Sequence, residues 1–517
     1  MESSMKKTSY DNTPSIPDGG EEPKGVNFGE VRELKRGFSR LIILSMAVVL
    51  MATWEALSSI MVSGLVSGGS VSLVYGFLCK LQKNSFVRFC LTEFLSGSMW
   101  YPTAGGQYHY IANMAPERWR DILSWCVGWI GTFGWVSFTA SAPFLAATMI
   151  QGLLVFNYES YQPERWHGTL LYWALVGFGA LVNIWGSRLV FIIESASLLA
   201  HIIAFIGNFA AIWACSSAKQ SASFVFTFFQ NNTGWENNGV PWCVGMLSSC
   251  YVLVGYDGAI HLGEEMLNPE LSVPHCMLGS IAINGVLGFA FLLAILFCMG
   301  DMDAALNSST GFPIIEIFRS VTGSAAASSA MTSTLILTAG LATIPLLAST
   351  ARMVWSLARD RALPFSSYFS KVNARSGPPV RSVLATSVLI ALLGLINIGS
   401  TTAFNAILSL AVFGLHVSYF LPIGFFLWRR IATPEILIYG PWGLGCLGVT
   451  INIFALVYLI FTSVFMVFPP YQPVTPVNMN YACLIFGGVL IFSGVYWVWR
   501  GRKVYEGPRV EARRSGY

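Results

Sequence analysis

Seven acidic or histidine side chains lie inside otherwise apolar runs: Glu55, Glu93, Glu194, His201, Asp257, His261 and His416. Carboxylates attract amines, and an imidazole titrates near neutral pH, so together they are the groups that hold cations and pass protons. A charge at the middle of a bilayer costs about 2.5–3.5 kcal/mol on insertion scales, so such residues face a cavity or a partner rather than lipid. Asp257 and His261 stand four apart, and His261 and Glu264 three apart, so on an intact helix all three share a face. Glu194 and His201 are seven apart, two helical turns, which makes them a candidate proton relay on one buried face. The plainer reading of each histidine, His416 above all, is a side chain satisfied by a neighbouring hydrogen bond.

The local context of two acids suggests a binding site. Glu55 sits about a third of the way through an apolar run and is followed by Ser58, Ser59, Ser63 and paired glycines. A helix crowded with Ser and Gly can unwind at that depth, exposing backbone groups and half-helix dipoles to a ligand. Gly255-Tyr256-Asp257-Gly258 interrupts a second apolar run with a breaker signal. The alternatives are a regular helix whose serines bond back to their own carbonyls, with Glu55 paired to a neighbour, and an Asp257 that caps the second half-helix.

These residues need a membrane scaffold. Of the 517 residues 54% are hydrophobic and only 11% charged, against about 25% charged in an average soluble protein, and the mean hydropathy is +0.59. Apolar runs fall at about 41–63, 71–98, 122–156, 169–186, 189–214, 241–262, 277–299, 327–350, 382–398, 403–428, 441–468 and 480–499. Twelve transmembrane helices of about 20 residues put both termini on one side. The Lys and Arg distribution agrees: 24 of the 30 fall in segments that would then be cytosolic, three in outer loops (Arg165, Lys219, Arg319) and three in the second span (Lys80, Lys83, Arg88). That bias is the positive-inside pattern. Residues 1–40 read as a disordered cytosolic tail without a signal peptide, residues 41–500 as the helical domain and 501–517 as a second cytosolic tail. Asn231 and Asn307 begin glycosylation tripeptides in expected outer loops.

Several functions are excluded or unsupported. The net charge of +4 is too small and dispersed for nucleic acid. The ten cysteines include no C-x-x-C pair, and no zinc pattern, Walker loop or G-x-S-x-G elbow occurs, so neither an enzyme, a metal nor a cofactor is indicated. Cys215 and Cys243 flank one expected outer loop and could bridge, although buried cysteine usually acts as a small hydrophobe. Gly443 to Gly448 match G-x-G-x-x-G without a preceding strand, and read as helix-packing glycine of the eleventh span.

Four segments then carry a resemblance. PTAGGQYHYIANMAPERWRDILSWCVGWIGTFGW (102–135), the first span with its TWE, GYDGAIHLGEEMLNPELSVP (255–274) and STARMVWSLARDRALPFSSYFSKVNARSGPPVRS (349–382) resemble, in order, the fungal amino acid/choline permease branch of the amino acid–polyamine–organocation superfamily. The resemblance covers residues 40 to 500. It implies an all-α fold of two inverted five-helix halves plus two extra helices, similar to the bacterial leucine transporter, with alternating access around broken first and sixth helices. Thr53, Trp54, Glu55 and Ala56 fall where the family's first helix opens, and Gly255, Tyr256, Asp257 and Gly258 where the sixth does. His201 falls near a fifth-helix position where some bacterial relatives carry a lysine in place of a sodium ion.

The second span departs from this pattern. Lys80, Lys83 and Arg88 interrupt a helix that is smoothly apolar in relatives, and three cations facing lipid would cost several kcal/mol. Either the helix is rearranged around them or the stretch derives from a misread gene boundary. The expected function is a plasma-membrane permease importing an amino acid or a relative such as 4-aminobutyrate, driven by H+. Half-helix N-termini would attract a substrate carboxylate, Glu55 or Asp257 its ammonium, and Trp54 and Tyr256 would add cation–π attraction. Choline suits the same acids and aromatics. A sensor that moves nothing would need a large output domain, which tails of about 40 and 17 residues do not offer.

Overall fold

The computed structural model describes residues 34, 37–96, 103–185, 187–266, 268–372, 377–437, 439, 442–505 and 507–508. These belong to one compact unit, Arg32–Arg509. The expected N-terminal tail and the end of the C-terminal tail lie almost wholly outside the described residues, as do the side chains of Lys83, Arg88 and Glu93.

Among the described residues the chain is helical throughout, with one isolated bridge pairing Phe38 to Met266. The helices are α1 (Arg40–Met51), α2 (Thr53–Val66), α3 (Gly69–Ser96), α4 (Gln107–Met114), α5 (Glu117–Asn157), α6 (Arg165–Ile184) and α7 (Ser187–Cys215). They continue with α8 (Ala222–Thr227), α9 (Gly239–Val252), α10 (Gly258–His261), α11 (Pro269–Cys298), α12 (Met302–Leu306), α13 (Pro313–Thr322) and α14 (Ala325–Arg359). The last are α15 (Ser366–Phe369), α16 (Val380–Gly399), α17 (Thr401–Ala432), α18 (Gly448–Phe465), α19 (Ala482–Tyr496) and α20 (Arg502–Val504). The boundaries follow local chemistry. Ser39 caps α1 by accepting the Ile42 N–H, Ser324 caps α14 by accepting that of Ala327, and Pro269 opens α11, where its missing N–H leaves nothing unsatisfied.

Among the described residues ten helices are long and apolar enough to cross a membrane. Two of the twelve expected spans fall short for distinct reasons. The second, α3, is 28 residues long but carries Lys80, Lys83, Arg88 and Glu93. The sixth is divided, and its longer piece, α9, has only 14 residues. Lys80 does not face lipid: it turns inward, 1% exposed, with its Nζ 3.0 Å from His416 Nε2.

The 41-residue α5 packs against α14 and α17. A Cβ on Gly414 would lie 3.3 Å from the Gly134 Cα, so α5 and α17 approach backbone to backbone as small residues permit in membranes. Around this core the first helix is enclosed by α7, α11 and α14, and 83% of its most apolar window is buried, against 22% for Ala482–Val504. The cysteine and glycine readings come out differently. Cys215 and Cys243 remain separate thiols. Of the glycine motif only Gly448 is in α18, where it admits the Arg430 guanidinium; Gly445 lies in a short 3-10 turn and Gly443 in irregular chain.

Candidate functional site

Both expected breaks are present, and they meet. Between α1 and α2 a single residue, Ala52, adopts left-handed backbone at φ 41° and ψ 48°, a conformation costing an L-residue about 1–2 kcal/mol. It redirects the helix and leaves the first N–H groups of α2 without intrahelical acceptors. The sixth helix stops at Val252 and resumes as α10, with Gly255 at φ +97° between them. A Cβ there would meet Phe138 and Leu50 at under 3 Å, so glycine is required by both conformation and space. Thr53 Oγ1 donates to Val252 O at 2.7 Å, joining the start of α2 to the end of α9.

Each break carries a buried carboxylate and an imidazole. Glu55, 1% exposed, accepts from His201 Nδ1 on α7 at 2.7 Å. Glu55 Oε2 and His201 Nε2 take no hydrogen bond. At the sixth helix, Asp257 Oδ2 accepts from Gln107 Nε2 (2.8 Å) and Trp135 Nε1 (3.3 Å), and lies 3.8 Å from His261 Nε2. His261 Nδ1 donates to Ala104 O at 2.8 Å, so in the neutral ring its Nε2 lone pair faces the carboxylate. That arrangement calls for a proton or another cation beside the pair. Asp257 occupies the N-cap position of α10 but makes no capping bond; its side chain turns to Gln107 and Trp135 instead.

Aromatic rings surround both acids. The Trp54 ring packs against His201, Phe205 and Phe291 with centroids 5.1–5.9 Å apart. Tyr256 stacks on Tyr419 at 6.1 Å, while Trp135 stands edge-on to Phe138 at 5.8 Å and to His261 at 5.0 Å. Tyr110 and Tyr419 are electrostatic neighbours of Asp257.

On the face where α1 begins, a polar lock closes over the breaks. Ala104 is held by its main chain, its N–H donating to Glu264 Oε1 (2.9 Å) and its carbonyl accepting from His261. Glu264 receives Arg359 through two nitrogens at 2.9 and 3.1 Å, and Arg352 donates to both oxygens of Glu265. Gly37 and Phe38 donate their N–H groups to Glu265 O. Asp360, fully buried, takes Tyr108 Oη and His109 Nε2, each at 2.8 Å. Burial pushes the Asp360 carboxyl up, but His109, Arg359 and Tyr108 outweigh it and hold it below the usual carboxylate range.

The expected grouping is therefore partly rearranged. His201 and Glu194 share a face of α7, yet the hydrogen-bonding partner of His201 is Glu55; Glu194 is buried with neither oxygen bonded. His261 and Glu264 do not share a helix face, because α10 ends at His261; instead they grip the two ends of Ala104. Ser58 and Ser59 do bond back to the carbonyls of Glu55 and Ala56, alongside the break rather than in place of it. Gln107, Trp135 and, of the lock, Ala104, Tyr108, His109, Glu265, Arg352, Arg359 and Asp360 are not singled out from sequence, whereas His261 and Glu264 are; the charges of Arg352, Arg359 and Asp360 at the end of an apolar run are the visible signal. Asn307 is exposed, whereas Asn231 is half-buried, its amide tied to Trp235 and Asn238. A cavity of about 580 Å³ lies elsewhere, lined by apolar residues such as Phe133, Leu389 and Leu484, and touches neither break.

Comparison with known proteins gives the family. The profile of a family described as amino acid permease matches residues 37–490. A protein of Saccharomyces cerevisiae named choline transporter is 33% identical over 479 residues, 92% of this chain and 84% of that protein. A putative amino acid/polyamine transporter of Macrophomina phaseolina is 34% identical over 86% of this chain and 96% of its own length. Amino-acid permease 2 of Neurospora crassa is 30% identical over 93% of this chain and 88% of its own. With the profile covering most of the chain, and relatives at this level along nearly its whole length, the protein belongs to the amino acid permease family and is a transmembrane permease for amino acids or related amines.

Proposed function

We propose that the chain imports a small amine-bearing nutrient, an amino acid or a relative such as 4-aminobutyrate, down a proton gradient across the plasma membrane. The observation that carries this reading is the pair of adjoining helix breaks, each with a buried carboxylate that keeps one oxygen unbonded. A substrate ammonium is taken by Glu55 or Asp257, and its carboxylate by the unpaired N–H groups at Thr53, Trp54 and Glu55 that open α2. The contact between the Glu55 carboxylate and the His201 imidazole supplies a proton-exchanging pair, with Glu194 two turns along α7 as its feeder. In this reading α3 and the divided sixth helix also cross the bilayer, giving twelve crossings, a five-plus-five inverted repeat with two further helices, and cytosolic termini. The lock around Ala104 then closes the cytosolic path, and Asn307, exposed on the opposite face, is the glycosylation acceptor.

Choline is the second reading. The rings of Trp135, Tyr256 and Tyr419 about Asp257 suit a quaternary ammonium, which needs no carboxylate partner. Uptake of radiolabelled 4-aminobutyrate and of radiolabelled choline in permease-deficient yeast, each competed by the other, separates the two. Saturable 4-aminobutyrate uptake that rises as external pH falls is expected. Uptake of choline alone would select the second reading, and uptake of neither compound nor of a mixture of amino acids would overturn both.

A further inference from the structure

The charges that keep α3 from reading as a membrane span include a pair for which the two breaks have no use. Lys80 is 1% and His416 2% exposed, and Lys80 Nζ lies 3.0 Å from His416 Nε2. His416 Nδ1 is 3.1 Å from Thr462 Oγ1, and the Thr462 hydroxyl donates its own hydrogen to Tyr458 O at 2.9 Å. Thr462 therefore accepts from Nδ1, which leaves Nε2 with a lone pair and makes Lys80 the donor. The Lys80 nitrogen also stands 5.4 Å from the centroid of the Tyr458 ring. The Tyr458 hydroxyl is 3.3 Å from Cys250 Sγ, two residues before α9 ends at the break.

No described carboxylate lies within ion-pair reach of Lys80. Of the elements packed on α3, α9 presents Cys250, α17 His416 and α18 Tyr458, and Cys79 of α3 itself lies beside Cys250; α2, α8 and α11 contribute no electrostatic partner to the pair. An ammonium without an acid is costly in an apolar interior. A neutral amine in the same place still donates to Nε2, so the geometry accommodates Nζ with or without its extra proton. Only the charged form is drawn to the Tyr458 face. One proton on Nζ thus changes the pull on Tyr458, and through Cys250 on the end of α9.

We propose that Lys80 is a proton carrier: its amine lone pair takes one proton from one side of the membrane and returns it to the other as the sixth-helix break rearranges. His416 is the fixed acceptor that holds Nζ in place, and Tyr458 links Nζ to α9. An N–H bond forms on loading and the same bond breaks on release, with no other change of bonding. This rests on the reading of the chain as a proton-driven permease and adds a coupling site apart from the acid–imidazole pairs.

Two measurements on the full-length protein test it. In proteoliposomes with the membrane potential clamped, a one-unit pH gradient drives one-proton accumulation about tenfold. Lys80→Met should abolish that accumulation of 4-aminobutyrate or choline while exchange without a gradient stays within about twofold of wild type, and Lys80→Arg should behave alike. Gradient-driven accumulation by both variants at the wild-type level, or wild-type uptake that requires chloride and ignores pH, overturns the proposal. Hydrogen–deuterium exchange across 239–252, corrected for intrinsic rate, needs no substrate. Wild type should show pH-dependent protection that Lys80→Met lacks, and equal profiles overturn the proposal. Wild type carrying neither compound nor a mixture of amino acids defeats the proton-driven import reading, while the exchange profiles still decide the role of Lys80.

Discussion

Glu55 and Asp257 do different work despite matching surroundings. Glu55 spends one oxygen on a histidine of another helix, and Asp257 spends one on an amide and an indole. Interhelical hydrogen bonds of this kind contribute about 0.6 kcal/mol on average in membranes, and at most about 1.7, so these bonds add little to stability. Glu55→Gln and Asp257→Asn keep size and a hydrogen-bonding oxygen. Each is expected to lower uptake tenfold or more while shifting stability by less than about 1 kcal/mol, checked by radiolabelled uptake and by melting of the detergent-solubilised protein. A large loss of stability with uptake preserved per folded molecule would move these acids from the site to the scaffold.

At the scale of elements, the divided helices were legible because their breakers are local: Gly255 and Gly258 flank an acid, and the serine-rich run marks the first helix. The position of the first break was less legible, since Ala52 carries no left-handed signature and is held there because α1 and α2 each pack on other helices, α11 among them. Ala52→Gly removes about 1 kcal/mol of backbone strain and should melt at or above the wild-type temperature. Ala52→Val, a β-branched residue in the same backbone with no space at 7% exposure, should destabilise by about 2 kcal/mol or more. Gly255→Ala should do likewise because of Phe138 and Leu50. Differential scanning fluorimetry separates the three. What sequence could not show was which helices face one another. Periodicity put Glu194 and His201 on one stripe, but partner choice belongs to tertiary packing, which brought Glu55 to His201 and His416 to the stray cation of α3.

For the whole molecule, the lock ties the 103–114 segment to the residues after α10 and to the end of α14. Its ion pairs are charge-assisted, worth about 1.5–3 kcal/mol each, so Arg359→Ala should speed hydrogen–deuterium exchange of residues 103–114 about tenfold or more. Unchanged exchange would mean the lock holds without that pair. The pH response has a definite sign. The carboxyl of Asp360 is lowered in the folded state, so its contribution is complete above the ordinary carboxylate value near 4 and is lost only as pH falls further. Protection of this segment through Asp360 should therefore be flat between pH 5 and pH 8 and fall in stronger acid, by the same exchange measurement.

The uneven burial of the helices has a mechanical consequence. A first span buried on nearly every side, where the last span is largely uncovered by protein, means that sterols or chain length in the surrounding leaflets can press on the hinge only through intervening protein. Lipid composition should then tune the outer ring first and reach the centre as an attenuated echo.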